Sequence, residues 1–419
     1  MVPMSAASVS PTPKPYGSAK DLPSYRELNR QIQVLGSITH LAMRTQRKPI
    51  LAIRHDLDRL VAVVDEFYDR LGVRQWIFHD LLNIAEIEKI LAQTTTAEAA
   101  EQRLIELYRD RDTLSLWILR LNAHHGLKVR RRQIQRAFEH YFSDEFDSAT
   151  LQLIAVMDGF VNDFQPAARR GLAAREPAEM VAWDSVVGHH LGLTHAMRAF
   201  RKTFKKRVDV EVFEVHRHGM VHGSIVNFDN VVVATKAWCM LFAVSDWARA
   251  TTNAAAPALP EPSWDTLWPQ IQQHCAQRRF HEEFVPSQLL PGDPGFDDQD
   301  VVVQATAFLR AWQHQRWGLV AGFAPPPSTG QAKQSAVQAK AMLERHRLGA
   351  FTISRVCFDV ACAAKIHAKA DLDGVPGEIT FRMVSYGPTG ALGIPGEPEV
   401  DWLLATWMAP RPVKPELAG

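Results

Sequence analysis

The sequence predicts a mainly α protein, in which a helical bundle follows an N-terminal helical extension and precedes a smaller C-terminal α+β domain. From Ser24 to Trp247, apolar residues recur largely at spacings of three and four, as in helices that bury one face. Proline becomes frequent after position 254, and beyond PPPSTG at 325–330 short apolar runs separated by glycine and proline indicate strands. These changes of pattern separate helical, connector and α+β parts.

We expect five segments with different roles in the fold. They are a disordered tail (1–23), an N-terminal helical region (24–145), a helical bundle (146–253), a proline-rich connector with helices (254–330) and a C-terminal α+β domain (331–419). The tail has neither the apolar run nor the charged start of a signal peptide.

The bulk composition restricts the possible function classes. A chain of 419 residues with 46% hydrophobic composition exceeds the size of one core, and its net charge of +1 predicts no strong overall attraction to nucleic acid. Four cysteines do not form a dense disulfide framework, which fits a reducing compartment. No apolar window is long enough to predict a membrane span. We therefore expect a cytoplasmic protein with no membrane partner.

Several helices can be predicted individually. Met180–Arg207 contains few helix breakers apart from Gly188 and Gly192, so it is predicted to be largely helical. Val231–Trp247 is apolar on nearly every face, as in a buried bundle helix, and Asp229 or Asn230 precedes it as a capping residue. Further helices are predicted at Trp268–Arg279, Val303–Val320 and 331–347.

Strands are predicted only in the C-terminal domain. The runs AFTISRVCFDV, GEITFRMVSY and PEVDWLLATW are rich in β-branched and aromatic residues and are separated by turn residues. Together with the helix at 331–347, they predict a small α+β domain.

The most informative segment is Arg217-His218-Gly219-Met220-Val221-His222-Gly223, directly ahead of the predicted buried helix. On an unbroken helix, Arg217 and His222 would be separated by about 140°. Gly219 and Gly223 permit a helix end or tight turn that brings the two side chains toward one pocket.

An arginine and a histidine in one pocket suit phosphate chemistry. Arginine binds phosphate oxygens with a fork of donors, and histidine titrates near neutrality and can transfer a proton. RNA provides its own nucleophile, so a histidine that deprotonates a ribose 2′-hydroxyl beside an arginine can cleave RNA without a metal. The expected products carry a 2′,3′-cyclic phosphate and a 5′-hydroxyl.

The segment resembles the signature of the HEPN superfamily, in which an arginine and a histidine are separated by four to six residues, the first usually polar. Arg217, His218 and His222 match this order and spacing, and the resemblance covers about 146–252. It implies a helical bundle with an RNase or nucleotide-binding site at Arg217 and His222, assisted by His218 and often completed by a second copy. The stretch AWQHQRWGLVAGF is similar to one in uncharacterised actinobacterial proteins that pair a helical core with a C-terminal α+β domain.

Other residues are candidates for RNA contacts or for support of the site. Lys202, Lys205, Lys206 and Arg207 form a basic run that is predicted on a solvated helix face and could bind an RNA backbone. Phe204 interrupts this run and either packs in the core or stacks on a base. Asp158, Asn162 and His190 are expected to support the site. Asp158 and Asp163 do not share a helix face, which argues against an acid/base dyad.

We expect no metal and no cofactor. His189, His190 and His195 are predicted on one helix, but His189 and His190 point away from each other and no HExxH pattern is present.

Two functions remain open from the sequence. The first is a metal-independent endoribonuclease or RNA- or nucleotide-binding protein acting in stress response or defence, with Arg217 for phosphate charge and His222 as general base or acid. The second is a non-catalytic dimerising protein whose C-terminal domain binds a partner or small ligand. A homodimer is expected in either case, because one bundle would leave Trp238, Phe242 and Trp247 incompletely covered.

Overall fold

The computed structural model describes residues 14–42, 47–165, 170–254, 280, 283–324, 335–387, 392–405, 411 and 412. The chain divides into two compact units, Met1–Pro260 and Glu261–Gly419. Among the described residues, the first unit is built of helices and the six-stranded sheet belongs to the second. The prediction of a mainly α protein with a C-terminal α+β part is therefore confirmed.

The first unit contains the predicted regions 24–145 and 146–253, which share one hydrophobic core. Its helices are α1 (Pro23–Ala42), α2 (Arg47–Leu71), α3 (Ile84–Gln93), α4 (Ala97–Arg109), α5 (Arg111–Arg120), α6 (His125–Lys128), α7 (Arg131–Phe142), α8 (Phe146–Phe164), α9 (Leu193–Phe200), α10 (Arg217–Val221) and α11 (Val231–Ala254).

Short polar side chains determine where several of these helices begin. Asn83, Thr96 and Asp110 precede α3, α4 and α5, and each side chain accepts a backbone N–H of the first turn. Asn230 has the same role for α11, because its Oδ1 accepts the N–H of Val233 at 3.0 Å. The sequence offered Asp229 or Asn230 as this cap, and Asn230 is the residue used.

Helix α11 is central to the core of the first unit. Trp238, Phe242 and Trp247 are all buried within the unit itself. The expectation that a second copy is needed to cover them was therefore wrong. Among the described residues, α11 is also the one helix that is long and apolar enough to cross a membrane, but 83% of the relevant window is buried inside the protein. Such burial is typical of the core helix of a soluble protein.

An extended segment after α2, residues 76–80, runs beside α11 through the core. Side-chain atoms accept hydrogen bonds from its backbone N–H groups. Ile77 donates to Cys239 Sγ (3.4 Å), Phe78 donates to Tyr68 Oη (3.2 Å) and Asp80 donates to Asp246 Oδ2 (2.8 Å). Buried backbone donors without partners are costly, so these side chains allow irregular backbone inside a helical core.

Two predictions about the first unit were wrong. Residues 14–23 are not a disordered tail, because Ala19 is buried and Tyr16 donates a hydrogen bond to the carbonyl of Val186 at 2.6 Å. Residues 1–13 lie outside the described residues. Met180–Arg207 contains only one α-helix, α9, because the chain crosses itself closely at Gly188, where a Cβ would lie 2.3 Å from the carbonyl oxygen of Ala182.

The second unit packs helices against an antiparallel sheet. Its helices are α12 (Asp300–Gln313), α13 (Trp317–Gly322) and α14 (Ala336–Leu343), and its strands are β1 (Ser287–Leu289), β2 (Leu348–Val360), β3 (Ala363–Leu372), β4 (Val375–Tyr386), β5 (Asp401–Leu404) and β6 (Arg411–Pro412). The strand order is β1-β2-β3-β4-β5, with β6 also paired to β4. Val356 pairs with Ile366, and Ile366 with Phe381, on the face that forms the core with α12.

The three predicted strand runs are confirmed as β2, β4 and β5, but β1, β3 and β6 were missed. β1 lies in the predicted connector, although strands were expected only in the C-terminal domain. The sequence of β3, AAKIHAKADL, is rich in alanine and lysine, which have low strand propensity. The predicted helix Val303–Val320 is two helices, α12 and α13, separated at Gln315, which has a φ of 54°. The predicted helix Trp268–Arg279 and the segment 325–330 lie outside the described residues.

Candidate active site

The motif forms a single helical turn, α10, that leads into α11. His216 precedes the turn, and its Nδ1 lies 2.9 Å from the carbonyl oxygen of Ala199 at the end of α9. His222 follows the turn, and Gly223 reverses the chain with a φ of +71°. The predicted helix end at this glycine is therefore present.

Gly219 allows the helical turn to pack tightly. A Cβ at this position would lie 2.5 Å from Ile225 Cδ1 and 3.0 Å from Phe204 Cδ2. The absence of a side chain therefore brings the ring of Phe204 against the motif, and with it the basic segment of which Phe204 is part.

Arg217 is held by Asp158 on α8. Its Nη2 lies 3.2 Å from Asp158 Oδ2, and the two side chains remain 27% and 23% exposed. Asp158 Oδ1 also accepts the N–H of Ala173 at 2.8 Å, so the carboxylate connects α8, α10 and the segment between α8 and α9. The Nε of Arg217 is buried and has no hydrogen-bond partner among the described residues. The guanidinium is thus oriented but retains donor capacity.

The two histidines of the motif are in contact. The rings of His218 and His222 have centroids 4.7 Å apart and are tilted by 53°. His222 is exposed, whereas Nδ1 of His218 is buried without a hydrogen-bond partner in the described part of the chain. The pair therefore offers one solvent-facing imidazole and a second one directly beside it, which is a suitable arrangement for moving protons.

The basic run lies next to the motif but not on a helix. Lys202, Lys205, Lys206 and Arg207 are exposed on the irregular segment after α9, which corrects the predicted helix face. The segment is then joined to the residues that follow the motif, because the N–H of Val208 donates to the carbonyl of Ser224 at 2.7 Å.

The basic side chains differ in the contacts that they make. Lys202 Nζ lies 5.3 Å from the ring centroid of Phe204, and Phe204 contacts His216 with ring centroids 5.0 Å apart. Arg207 is paired with Asp209, with Nε 2.6 Å from Oδ1. Phe204 is half-buried, which fits its interpretation as a packing residue.

The other predicted supporting residues lie outside this group of contacts. The side chain of Asn162, further along α8 than Asp158, forms no hydrogen bond with any residue that the structure describes. His190 is exposed, and its Nδ1 lies 3.3 Å from the carbonyl oxygen of Tyr16. Asp163 pairs with Arg130 at 2.7 Å. Within the described part of the chain, none of the three is hydrogen-bonded or ion-paired to Arg217 or His222.

His189 belongs to the fold and not to a ligand set. Its Nε2 lies 2.9 Å from the carbonyl oxygen of Gly17, and its Nδ1 accepts the N–H of Leu191 at 3.1 Å. Both ring nitrogens are therefore used in backbone hydrogen bonds. His195 lies on α9, whereas His189 and His190 precede that helix, so the predicted common helix does not exist.

The sequence interpretation missed one contributor to the site. His216 anchors the start of α10, because its Nδ1 lies 2.9 Å from the carbonyl oxygen of Ala199. The repeated histidines at 216, 218 and 222 were a signal for this residue.

Apolar side chains are exposed around the motif. Val221 ends α10, Val226 follows it, and Val210 and Phe213 lie on the facing segment; all four are exposed. The two segments are joined by hydrogen bonds such as that from the N–H of Val212 to the carbonyl of Asn227 at 3.1 Å. Exposed apolar side chains grouped in this way are typical of interaction surfaces.

Comparison with known proteins adds no relative to this description: no family model, no curated protein and no solved structure matches the chain.

Proposed function

We propose that this protein is a HEPN-like, metal-independent endoribonuclease whose active site consists of Arg217, His218 and His222. The observation that supports this best is the contact between the His218 and His222 rings, on a helical turn that begins at Arg217 and precedes a buried helix. The spacing of the three residues resembles the HEPN signature, and their side chains suit cleavage of a phosphodiester.

The proposed reaction uses the ribose as the nucleophile. His222 takes the proton from the 2′-hydroxyl, and the 2′-oxygen attacks phosphorus to form a 2′,3′-cyclic phosphate. The bond from phosphorus to the 5′-oxygen breaks, and the leaving oxygen is protonated by an imidazolium or by water. His218 assists as the neighbouring imidazole, and Arg217 stabilises the charge that develops on the phosphate oxygens.

The surroundings of the motif suit a phosphodiester chain. Lys202, Lys205 and Lys206 are exposed on the segment that Phe204 packs against α10. Three lysines beside the reacting site attract successive phosphates of a single strand without base specificity. Because the whole-chain charge is only +1, attraction of RNA depends on local concentrations of basic side chains such as this one.

We also propose that two copies associate through the face that carries the motif. Val210, Phe213, Val221 and Val226 are the apolar residues exposed there, and a twofold interface would bury the same patch on both subunits. In this arrangement the two Arg217 and His222 sets lie near the twofold axis. Sedimentation at micromolar concentration should show a dimer that Val221→Glu dissociates, and a monomeric wild-type protein would refute the proposal.

The test of the proposed activity is cleavage of single-stranded RNA by the full chain in EDTA. His222→Ala should lower the rate by about 10² to 10⁴, the usual contribution of a general acid or base, without changing the circular dichroism spectrum. His55→Ala, a histidine with an exposed side chain outside the site, should cut at the wild-type rate. Products without a cyclic phosphate, or full activity in His222→Ala, would refute the proposal.

A non-catalytic role is the alternative, and the ion pair between Arg217 and Asp158 favours it. A carboxylate that already neutralises the arginine weakens its attraction for phosphate. The protein would then dimerise and bind RNA or another partner without cutting. Binding of RNA with no cleavage under any condition would support this function. We expect a cytoplasmic protein in either case, and a role in stress response or defence for the endoribonuclease.

A further inference from the structure

The second unit contains a cavity of about 590 Å³ that the proposed RNase function does not use. It is formed where β1, the start of α12, the turn after β2 and β5 meet. Aromatic rings provide much of its wall, with Phe284, Phe358 and Trp402 among the lining residues. A cavity of this volume with aromatic walls is in the size range of sites for small organic ligands.

The charged side chains that the structure describes in the cavity lining are negative. Glu283 and Asp300 line it, and among the described residues no lysine, arginine or histidine does. Both carboxylates are exposed at the cavity, and neither is ion-paired with a residue that the structure describes. Within the described part of the chain, no opposing charge is paired with them.

Further exposed carboxylates lie next to lining residues in the chain. Asp297 and Asp298 precede α12 and are exposed, and Asp401 adjoins the buried Trp402 on β5. A low-dielectric wall surrounded by carboxylates raises the local concentration of cations and repels anions.

We propose that this cavity binds a small organic cation with an apolar body, such as a protonated or quaternary amine. The apolar body would be buried against Phe284, Phe358 and Trp402, while the ammonium group lies near Glu283 and Asp300. Aromatic faces attract cations through their quadrupole, so the same rings serve both parts of the ligand. A neutral ligand would not gain the electrostatic attraction of the carboxylates or the cation–π interaction with the rings, and an anionic ligand would be repelled.

The experiment is a ligand-observed NMR titration of the full chain with benzyltrimethylammonium. Neopentylbenzene, its uncharged isostere, and 3-phenylpropionate, an anion of similar size, are the comparison ligands. We expect saturable binding of the cation and at least about tenfold weaker binding of the other two. Added salt should weaken binding of the cation, because its carboxylate partners are exposed.

Variants distinguish the cavity from general attraction to an acidic surface. Glu283→Gln and Asp300→Asn should each weaken binding of the cation several-fold, whereas Asp297→Asn and Asp298→Asn, which do not line the cavity, should change it little. Phe284→Leu keeps an apolar wall and should weaken binding of the cation more than binding of the uncharged isostere. Equal binding of cation and isostere, equal effects of all four acid variants, or no saturable binding up to about 10 mM would overturn the proposal.

Discussion

Arg217 and Asp158 form an ion pair between α10 and α8, with Nη2 and Oδ2 3.2 Å apart. The arginine of the motif is therefore oriented by a helix that is distant in the sequence. Because Asp158 Oδ1 also accepts the N–H of Ala173, movement of this carboxylate would displace two segments at once. In the proposed enzyme, Asp158 is a positioning residue that acts through Arg217.

Replacing Asp158 with asparagine tests this role. Asn keeps an oxygen for the N–H of Ala173 but loses the charge opposite Arg217. We expect the cleavage rate constant to fall by about tenfold to a hundredfold, because small misplacements of a charge-stabilising group are costly. RNA affinity should stay equal or increase, since one negative charge is removed. Single-turnover kinetics separates the two quantities, and an unchanged rate constant would contradict the positioning role.

The three exposed lysines are predicted to contribute most of the attraction for RNA. A variant carrying Lys202→Gln, Lys205→Gln and Lys206→Gln should bind single-stranded RNA more weakly and with a smaller salt dependence. The slope of log affinity against log salt should fall by about 0.7 for each RNA phosphate that is no longer neutralised by a lysine. Fluorescence anisotropy in a His222→Ala background measures binding without cleavage.

Arg207→Gln is the matched control for the lysine variant. Its guanidinium is already paired with Asp209 at 2.6 Å, so its loss should matter less than that of any lysine. Equal effects of Arg207→Gln and the triple variant would contradict the assignment.

The packing of α10 can be tested at Gly219. In Gly219→Ala the new Cβ would lie 2.5 Å from Ile225 Cδ1, so Ile225 or the helical turn must move. We expect a loss of about 1–3 kcal/mol in the free energy of unfolding, as is usual for overpacking, together with a loss of activity. In the control Gly223→Ala, the Cβ meets no atom within 4 Å and only the positive φ is unfavourable, at about 1 kcal/mol. Urea unfolding of the two variants compares these costs.

The sequence predicted much of the local structure because repeated apolar spacing and turn residues are local signals. It identified α11, its possible Asn230 cap, and the strands β2, β4 and β5. It did not predict β3, because alanine and lysine have low strand propensity. This strand forms by pairing with β2 on one side and β4 on the other, and such non-local pairing is not visible in its own sequence. It also failed between 180 and 207, where close backbone crossings replace a continuous helix.

The candidate site could be predicted only in part for a similar reason. The order of Arg217, His218 and His222 is visible in the sequence, and so is the nearby basic run. The contact of Phe204 with Gly219 and the pairing of Arg217 with Asp158 depend on how separate segments pack. Asn162 and His190 were inferred from helix spacing alone, and the structure provides no contact that joins them to the motif.

A buried ion pair in the first unit provides a test of its core. Lys236 on α11 lies 3.1 Å from Glu101 on α4, and the side chains are only 4% and 9% exposed. Burial lowers the pKa of Lys236, and the charge of Glu101 opposes this shift. Glu101 has further partners, since its Oε1 accepts the Trp76 indole N–H at 2.7 Å and Arg74 donates to its Oε2 at 3.1 Å.

We expect the two single substitutions to differ. Glu101→Gln leaves the ammonium of Lys236 buried without an anion and should cost about 3–5 kcal/mol in the free energy of unfolding. Lys236→Met should cost less, because Glu101 keeps Arg74 and Trp76. The double variant should be more stable than Glu101→Gln alone. Urea unfolding of all four proteins measures these differences, and a Lys236→Met variant that is the less stable single variant would contradict this interpretation.

Among the described residues, Asp246 on α11 is the carboxyl whose surroundings most favour its neutral form. Burial, with the nearby charge of Asp80 adding to it, raises the pKa of Asp246 from 3.8 to about 7. Arg249 Nη2, 3.1 Å from Asp246 Oδ1, and the N–H of Asp80, 2.8 Å from Oδ2, only partly offset this shift. Asp80 belongs to the end of the extended segment that crosses the core, so ionisation of Asp246 acts on a packed region.

The stability of the protein should therefore depend on pH through Asp246. Because the folded-state pKa is raised, the folded state binds the proton more tightly than the unfolded state. The stabilisation from this group is fully present below pH 3.8 and is lost as the pH rises through about 7. Asp246→Asn cannot ionise, so its stability relative to the wild type should increase from pH 5 to pH 8, by an amount on the order of 1 kcal/mol or more. Urea unfolding at both values measures this difference, with the exposed Asp298→Asn as a control. A difference that is constant with pH would show that Asp246 is already ionised in the folded protein at pH 5.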